Sequence, residues 1–229
     1  MDQKPEDAPA TPYTKDTVFY LEEIVILVEG CLFKVPKAHF QNGSEVFRQM
    51  FTLPASEGCD VDGSSDVDDY PLRLDGITKD DFVPFLKAMF PRRFPMRESS
   101  LTADEWTSVL KLANMWSFDN LRGIAIKHLA KLRLEPVQKI ALAMDYHLPK
   151  WLVPALNRLA QREQPLGRDD LQRLGADVAL KIAEVRGAYP PACPRPWEHH
   201  STNPLVAFRH RSKFDFRPKI FSVFGPIPT

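Results

Sequence analysis

Cys31 and His39, a thiol and an imidazole eight positions apart, are the first residues whose types could combine into chemistry. A nucleophilic pair needs the sulfur and a ring nitrogen within hydrogen-bond reach, and a thiol activated by its surroundings. This pair lies across the end of a hairpin pattern, where a small buried thiol beside a helix-start histidine is the commoner arrangement. Cys193, His199 and His200 come nearest to a metal-ligand set. Zinc takes four ligands in a closed site, and no CxxC or HxxxH partner accompanies them. They read as chance residues of a proline-rich tail. Neither GxxxxGK[ST] nor GxGxxG occurs, so no phosphate-cradling loop is encoded. Carboxylates concentrate in SEGCDVDGSSDVDD, within residues 55–69. A small, glycine-containing exposed loop of this kind cannot hold an acid–base pair at fixed separation. His128 and His147 fit helix surfaces or a core hydrogen bond. No catalytic residue, metal ligand or cofactor is assigned.

The basic aromatic C-terminus is the one element suited to nucleic acid. Arg209, Arg211, Lys213, Arg217 and Lys219 interleave there with Phe208, Phe214, Phe216 and Phe221. Aromatic stacking combined with phosphate contacts is how single strands are held. Glu198 and Asp215 dilute that charge, and no folded reader module accompanies it. A flexible tail lying on its own domain or on a partner is the plainer reading.

The elements around these residues follow from periodicity. Residues 23–54 open with a period-two run in which Ile24, Ile26 and Val28 face one way and Val25 and Leu27 the other. Both faces are apolar, which predicts a strand covered on both sides. Glu29-Gly30 offers the turn, and Cys31 to Val35 a second strand ended by Pro36. The Asn42-Gly43 break precedes Ser44, an N-cap for a helix carrying Phe47, Met50 and Phe51. Pro71-Leu72-Arg73-Leu74 is a short strand candidate, closed by Asp75-Gly76.

Helical signals then dominate. Thr78 and Asp81 have capping-box spacing ahead of Phe82, Phe85, Leu86 and Met89. Pro84 interrupts this pattern, so a helix start near it is expected. Thr102 and Glu105 form a second box, followed by the stripe Trp106, Val109, Leu110, Ala113 and Trp116. A third helix over 118–132 should turn Leu121, Ile124, Ala125, His128 and Leu129 inward. Pro136 suits the first position of another, with Val137, Ile140, Ala141 and Met144 inside. Leu148-Pro149 breaks it, and Trp151 to Leu159 continues helical, with Pro154 as a kink or late start. Asp169 or Asp170 caps a last region, interrupted at Gly175 and ended at Gly187. No internal repeat is evident in the residues.

Apolar residues make up 44% and charged residues 26%, with a formal net charge of zero. That composition fills a core and draws the chain to neither nucleic acid nor an anionic membrane. No apolar run approaches the ~20 residues of a membrane helix. The polar N-terminus argues against a secretory leader, and the three cysteines read as reduced thiols of the cytosol or nucleus.

FYLEEIVILVEGCLFKVPKAHFQNGSEVFRQMFTLP resembles the opening of a BTB/POZ domain of the kind abundant in mushroom-forming (basidiomycete) fungi. PLRLDGITKDDFVPFLKAMFP and LTADEWTSVLKLANMWSFDNLRGIAIKHL are similar to that family's next strand and helices, in the same order. LAMDYHLPKWLVPALNRLAQRE resembles the helical extension of these fungal proteins. The likeness covers about residues 17–187. Many BTB domains have a histidine after the second strand, paired with an acid ahead of the first. Here Pro36 takes the histidine's place, with Glu22 or Glu23 in the acid's, which argues against a charged groove of the transcription-factor type.

The resemblance implies an α+β fold, with a small β-sheet at one end packed on a helical cluster and a helical extension behind it. The expected layout is a lead-in at 1–16, a BTB/POZ domain at 17–134, an extension at 135–187 and a Pro/Phe/basic tail at 188–229. It implies an intracellular, non-catalytic module that associates with itself or recruits other proteins. Some members are substrate adaptors for cullin-3 ubiquitin ligases, and the 82–94 region and the helices after Pro136 occupy the matching places. Candidate partner-binding residues are Phe90, Arg92, Arg93 and Phe94 of the rigid FPRRFP loop, and Trp151 beside Pro149. A regulator acting on nucleic acid through the C-terminal tail is the competing reading.

Overall fold

The chain reverses at Glu29-Gly30 because both residues take positive φ, 46° and 73°. That two-residue geometry matches the twist of the flanking strands. It joins β1 (Glu23–Val28) to β2 (Cys31–Pro36), antiparallel in the register Val28↔Cys31 to Glu23↔Pro36. The computed structural model describes residues 14–18, 20–52, 70–91, 101–189 and 211–227. The chain divides into two compact units, Met1–Lys131 and Leu132–Thr229.

In the first unit a short β3 (Leu72–Arg73) pairs parallel to β1, giving the order β2-β1-β3. The central β1 buries Ile24, Val25, Ile26 and Val28, so it is covered on both faces as its pattern predicts. Five helices follow or intervene: α1 (Lys37–Gly43), α2 (Glu45–Thr52), α3 (Lys79–Met89), α4 (Ala103–Met115) and α5 (Asp119–Lys131). Their shared core is aromatic. Phe40 meets Phe47 at 5.0 Å and Phe118 at 5.9 Å, and Phe85 meets Trp116 at 5.3 Å and Phe118 at 5.2 Å. Most of these contacts are edge-to-face, worth about 0.5–1.5 kcal/mol each beyond their burial. Gly43 ends α1, so the break falls ahead of Ser44 as expected, and a Cβ there would stand 2.7 Å from the Phe118 ring.

Ser44 caps α2 by accepting from Phe47 N–H at 3.1 Å, and its own hydroxyl donates to the Trp116 carbonyl at 2.5 Å. The Thr102–Glu105 box forms in both directions. Thr78 accepts from Asp81 N–H, and α3 begins there with Pro84 in its interior, not at its start. The proline costs one ladder bond, while its ring is buried in the core. Ile124 of α5 faces solvent at 43% exposure, against the expected inward face.

The second unit holds α6 (Pro136–Asp145), α7 (Pro149–Gln161), α8 (Arg168–Leu174) and α9 (Ala176–Gly187). Leu142 and Ala143 are buried in α6 in place of the exposed Met144. Pro154 sits inside α7. Gly167 is the N-cap of α8, and the Asp170 carboxylate reaches back to accept its N–H at 2.9 Å.

Against the expectation of none, a repeat is present in the backbone. Between α4 and α5, Ser117 takes φ 55° and Phe118 N–H donates to the Ala113 carbonyl at 2.8 Å. Between α6 and α7, His147 takes φ 53° and Leu148 N–H donates to the Ala143 carbonyl at 2.8 Å. Burial follows the same offset: Leu110, Leu112, Ala113, Leu121, Ala125 and Leu129 correspond to Ile140, Leu142, Ala143, Trp151, Ala155 and Leu159, all buried.

Residues 211–227 overturn the expectation of a surface tail. A 3-10 turn at Arg211–Lys213 leads into α10 (Arg217–Phe224), and Phe216 and Ile220 are fully buried with Leu156, Leu159, Val178 and Ile182. Phe216 N–H donates to Asn157 Oδ1 at 2.8 Å, and Gln161 Nε2 to the Phe214 carbonyl at 2.8 Å. At the C-terminal end of α7 the orphan carbonyls find arginines. Leu159 accepts from Arg186 Nη1 and Ala160 from Arg211 Nε, both at 2.9 Å. The extension and this last segment therefore share one core.

Two substitutions check these anchors. Phe216→Ala should cost about 3–5 kcal/mol in urea unfolding of the second unit; a surface tail would leave the midpoint unmoved. Ser44→Ala should cost about 1–3 kcal/mol, since it removes a cap and leaves a buried carbonyl without its donor.

Candidate functional site

A groove of about 550 Å³ runs between β2 and α3. Residues 32–36 line one wall, and Val83, Leu86, Lys87 and Phe90 the other. Strand side chains alternate between faces, so five consecutive lining residues mean that the groove follows the backbone edge of β2. That edge is the outer one, because β2 ends the sheet among the described residues.

The hydrogen-bond phase is fixed at both ends of the hairpin. Lys37 N–H donates to the Glu22 carbonyl at 2.9 Å, and Leu74 N–H to the Leu27 carbonyl at 3.1 Å. Alternate residues of an antiparallel pair point their amides towards and away from the partner strand. By that alternation Ile24↔Val35, Ile26↔Phe33 and Val28↔Cys31 bond to each other, and Leu32, Lys34 and Pro36 direct their backbone groups outward. Pro36 sits where its missing N–H removes nothing from the β1–β2 ladder. It pairs with Glu23, whose carboxylate lies 3.6 Å from Lys34 Nζ.

The floor is anchored from below. Phe33 packs edge-on against Phe82 at 5.1 Å. Asp81 clamps α3 to α4 by accepting from Ser108 Oγ at 2.6 Å and from Lys111 Nζ at 2.6 Å. Burial pushes the Asp81 carboxyl up, but its bonds to Lys111 and Ser108 outweigh this and hold it below its ordinary value. Lys87, on the groove wall, pairs with Glu105 at 3.0 Å. The α4 capping-box bond and Lys87 keep the Glu105 carboxyl low as well.

Of the residues singled out by sequence, Phe90 lies on this groove and packs against His39 at 4.8 Å. Arg92, Arg93 and Phe94 lie outside the described residues, as do the acidic run, Cys59, Cys193, His199, His200, Phe208 and Arg209. Trp151 is 9% exposed, is the counterpart of Leu121 in the repeated corner, and carries the Lys139 ammonium 5.0 Å from its ring. It is a core residue and lines no open surface. Cys31 and His39 are not brought together. Cys31 starts β2 and His39 lies beyond its other end, about 17 Å of strand away at ~3.3 Å per residue. Among the described residues no cluster of three His, Cys, Asp or Glu is placed to hold a metal ion. No described helix is long and apolar enough to cross a membrane.

Part of the basic aromatic set of the C-terminus is taken up by the fold, while Phe221 is exposed. Phe216 is fully buried, and Phe214 packs on it at 4.6 Å. The Arg211 guanidinium donates to the Ala160 and Arg186 carbonyls and lies over Phe216 and Tyr189. Arg217 is held by Asp215, and Lys219 by Glu184 at 2.7 Å.

Residues 20–132 match the family model of the BTB/POZ domain. No curated protein matches the chain.

The Asp81 clamp carries a pH signature. Its folded-state pKa lies below the unfolded one, so the folded chain binds fewer protons. The stabilisation is full above about pH 3.9 and drains as pH falls through the folded value. Asp81→Asn should cost about 1 kcal/mol at neutral pH and flatten the loss of stability below pH 4, read by urea unfolding across a pH series. An unchanged acid limb would remove the clamp from the account of α3.

Proposed function

We propose that this chain, whose residues 20–132 are a BTB/POZ domain, works as a non-catalytic protein–protein interaction module that associates with itself and recruits a partner. The family match is the observation that carries this reading, because BTB domains are generally interaction modules without chemistry of their own. The distance of Cys31 from His39, at opposite ends of β2, is consistent with it. So is an open groove whose lining is mostly apolar and backbone.

The more specific reading is a cullin-3 ligase adaptor of the fungal type that the sequence resembles. Its support is the order of elements: a BTB domain followed at once by the α6–α7 pair, in the position where adaptors of this family continue with helices. The site of action is intracellular on this reading, in cytoplasm or nucleus.

Light scattering on the full chain at tens of micromolar should return twice the chain mass, and immobilised chain should retain purified cullin-3. A strict monomer would discard self-association, and a clean failure to retain cullin-3 would discard the adaptor role.

A further inference from the structure

We infer that the outer edge of β2 is a docking site for an extended peptide, which adds as a fourth strand and presents acidic side chains to Lys34 and Lys87. This rests on the interaction-module reading and names a surface and a partner chemistry for it.

Three observations converge. Leu32, Lys34 and Pro36 turn their backbone groups away from β1, which is what a fourth strand requires. The groove beside that edge is walled by Val83, Leu86 and Phe90 of the α3 region, so alternate side chains of an added strand would meet apolar surface. Leu32 is 47% exposed on the opposite sheet face, where the other set of side chains would lie. Strand addition of this kind draws affinity from main-chain bonds and specificity from alternate pockets.

Charge selects the occupant. Among the described residues the only two charged ones lining the groove, Lys34 and Lys87, are both cations. Both lysines also reach a glutamate, Glu23 at 3.6 Å and Glu105 at 3.0 Å, with the lysine side chains 44% and 53% exposed, and ion pairs with such exposed members contribute little. A second copy of the chain suits the edge poorly. Full antiparallel overlap of two β2 strands sets Lys34 against Lys34 and Leu32 against Pro36, which has no N–H to give. Lysine and proline on an edge strand are the residues that discourage sheet-to-sheet pairing.

The test is selection from a random displayed heptapeptide library on the full chain, followed by binding to a Lys34→Glu/Lys87→Glu variant whose folding is checked by its melting temperature. Enriched peptides should alternate apolar residues around an Asp or Glu. They should bind the variant at least tenfold more weakly and slow amide exchange at Leu32 at least tenfold. No enrichment, equal binding to the variant, or an unprotected Leu32 amide would overturn the inference. A variant that changes the mass of the free chain would overturn it in favour of a second copy. A variant that retains cullin-3 but has no peptide preference to lose leaves the module reading standing while the groove inference falls.

Discussion

One hydroxyl holds the first unit to its arrangement. Ser44 is the only buried polar side chain among the described residues, 1% exposed, and it is fully used. It accepts from the α2 N-terminus and donates to the last carbonyl of the α4 end, 72 residues away. A buried polar group is tolerable only when its bonds are made, so this pair of bonds admits few alternative packings. The aromatic cluster supplies the bulk of the driving force, but rings alone can slide. Ser44 and the close approach of Gly43 to Phe118 specify where they stop. The groove between β2 and α3 inherits its shape from this, since α3 packs its Phe82 and Phe85 into the same cluster.

The helical corner after α4 is used again after α6, with different residues. Ser117 and His147 both accept a left-handed backbone, and the next residue, Phe118 or Leu148, is buried in both. What recurs is a pattern of apolar positions and one capping bond; the identical pairs, Leu112 and Leu142, Ala113 and Ala143, Ala125 and Ala155, Leu129 and Leu159, are common core residues whose spacing alone does not mark a repeat. This also explains Trp151: its place in the repeat belongs to a core side chain, and its neighbour Pro149 is a helix start and not the rim of a groove.

The parts of the fold visible in the sequence are those that local physics determines. The period-two run, the Glu29-Gly30 turn, the Thr102–Glu105 box and the stripe from Trp106 to Trp116 each depend on residues a few positions apart. Helix faces were legible at their centres and not at their edges: Ile124 and Met144 lie at the margin of an apolar arc, where neighbouring helices decide what is covered. The groove was glimpsed only through Phe90, because its two walls come from segments about fifty residues apart. The C-terminal segment was misread for a physical reason. A proline-rich stretch followed by alternating arginine and phenylalanine reads as a flexible tail unless α7 and α9 are known to wait for those rings. Arginine there satisfies helix carbonyls and not phosphates.

The burial of Phe216 and Ile220 sets an order on how the polypeptide is made. The first unit has all its core residues by Lys131 and can close while synthesis continues. The second cannot, because the face of α7 and α9 around Leu159 and Ile182 is missing its cover until residues 211–227 have left the ribosome. For that interval a nascent chain displays a greasy helical surface, the kind of species that folding helpers shield and that sticks to its neighbours when they do not.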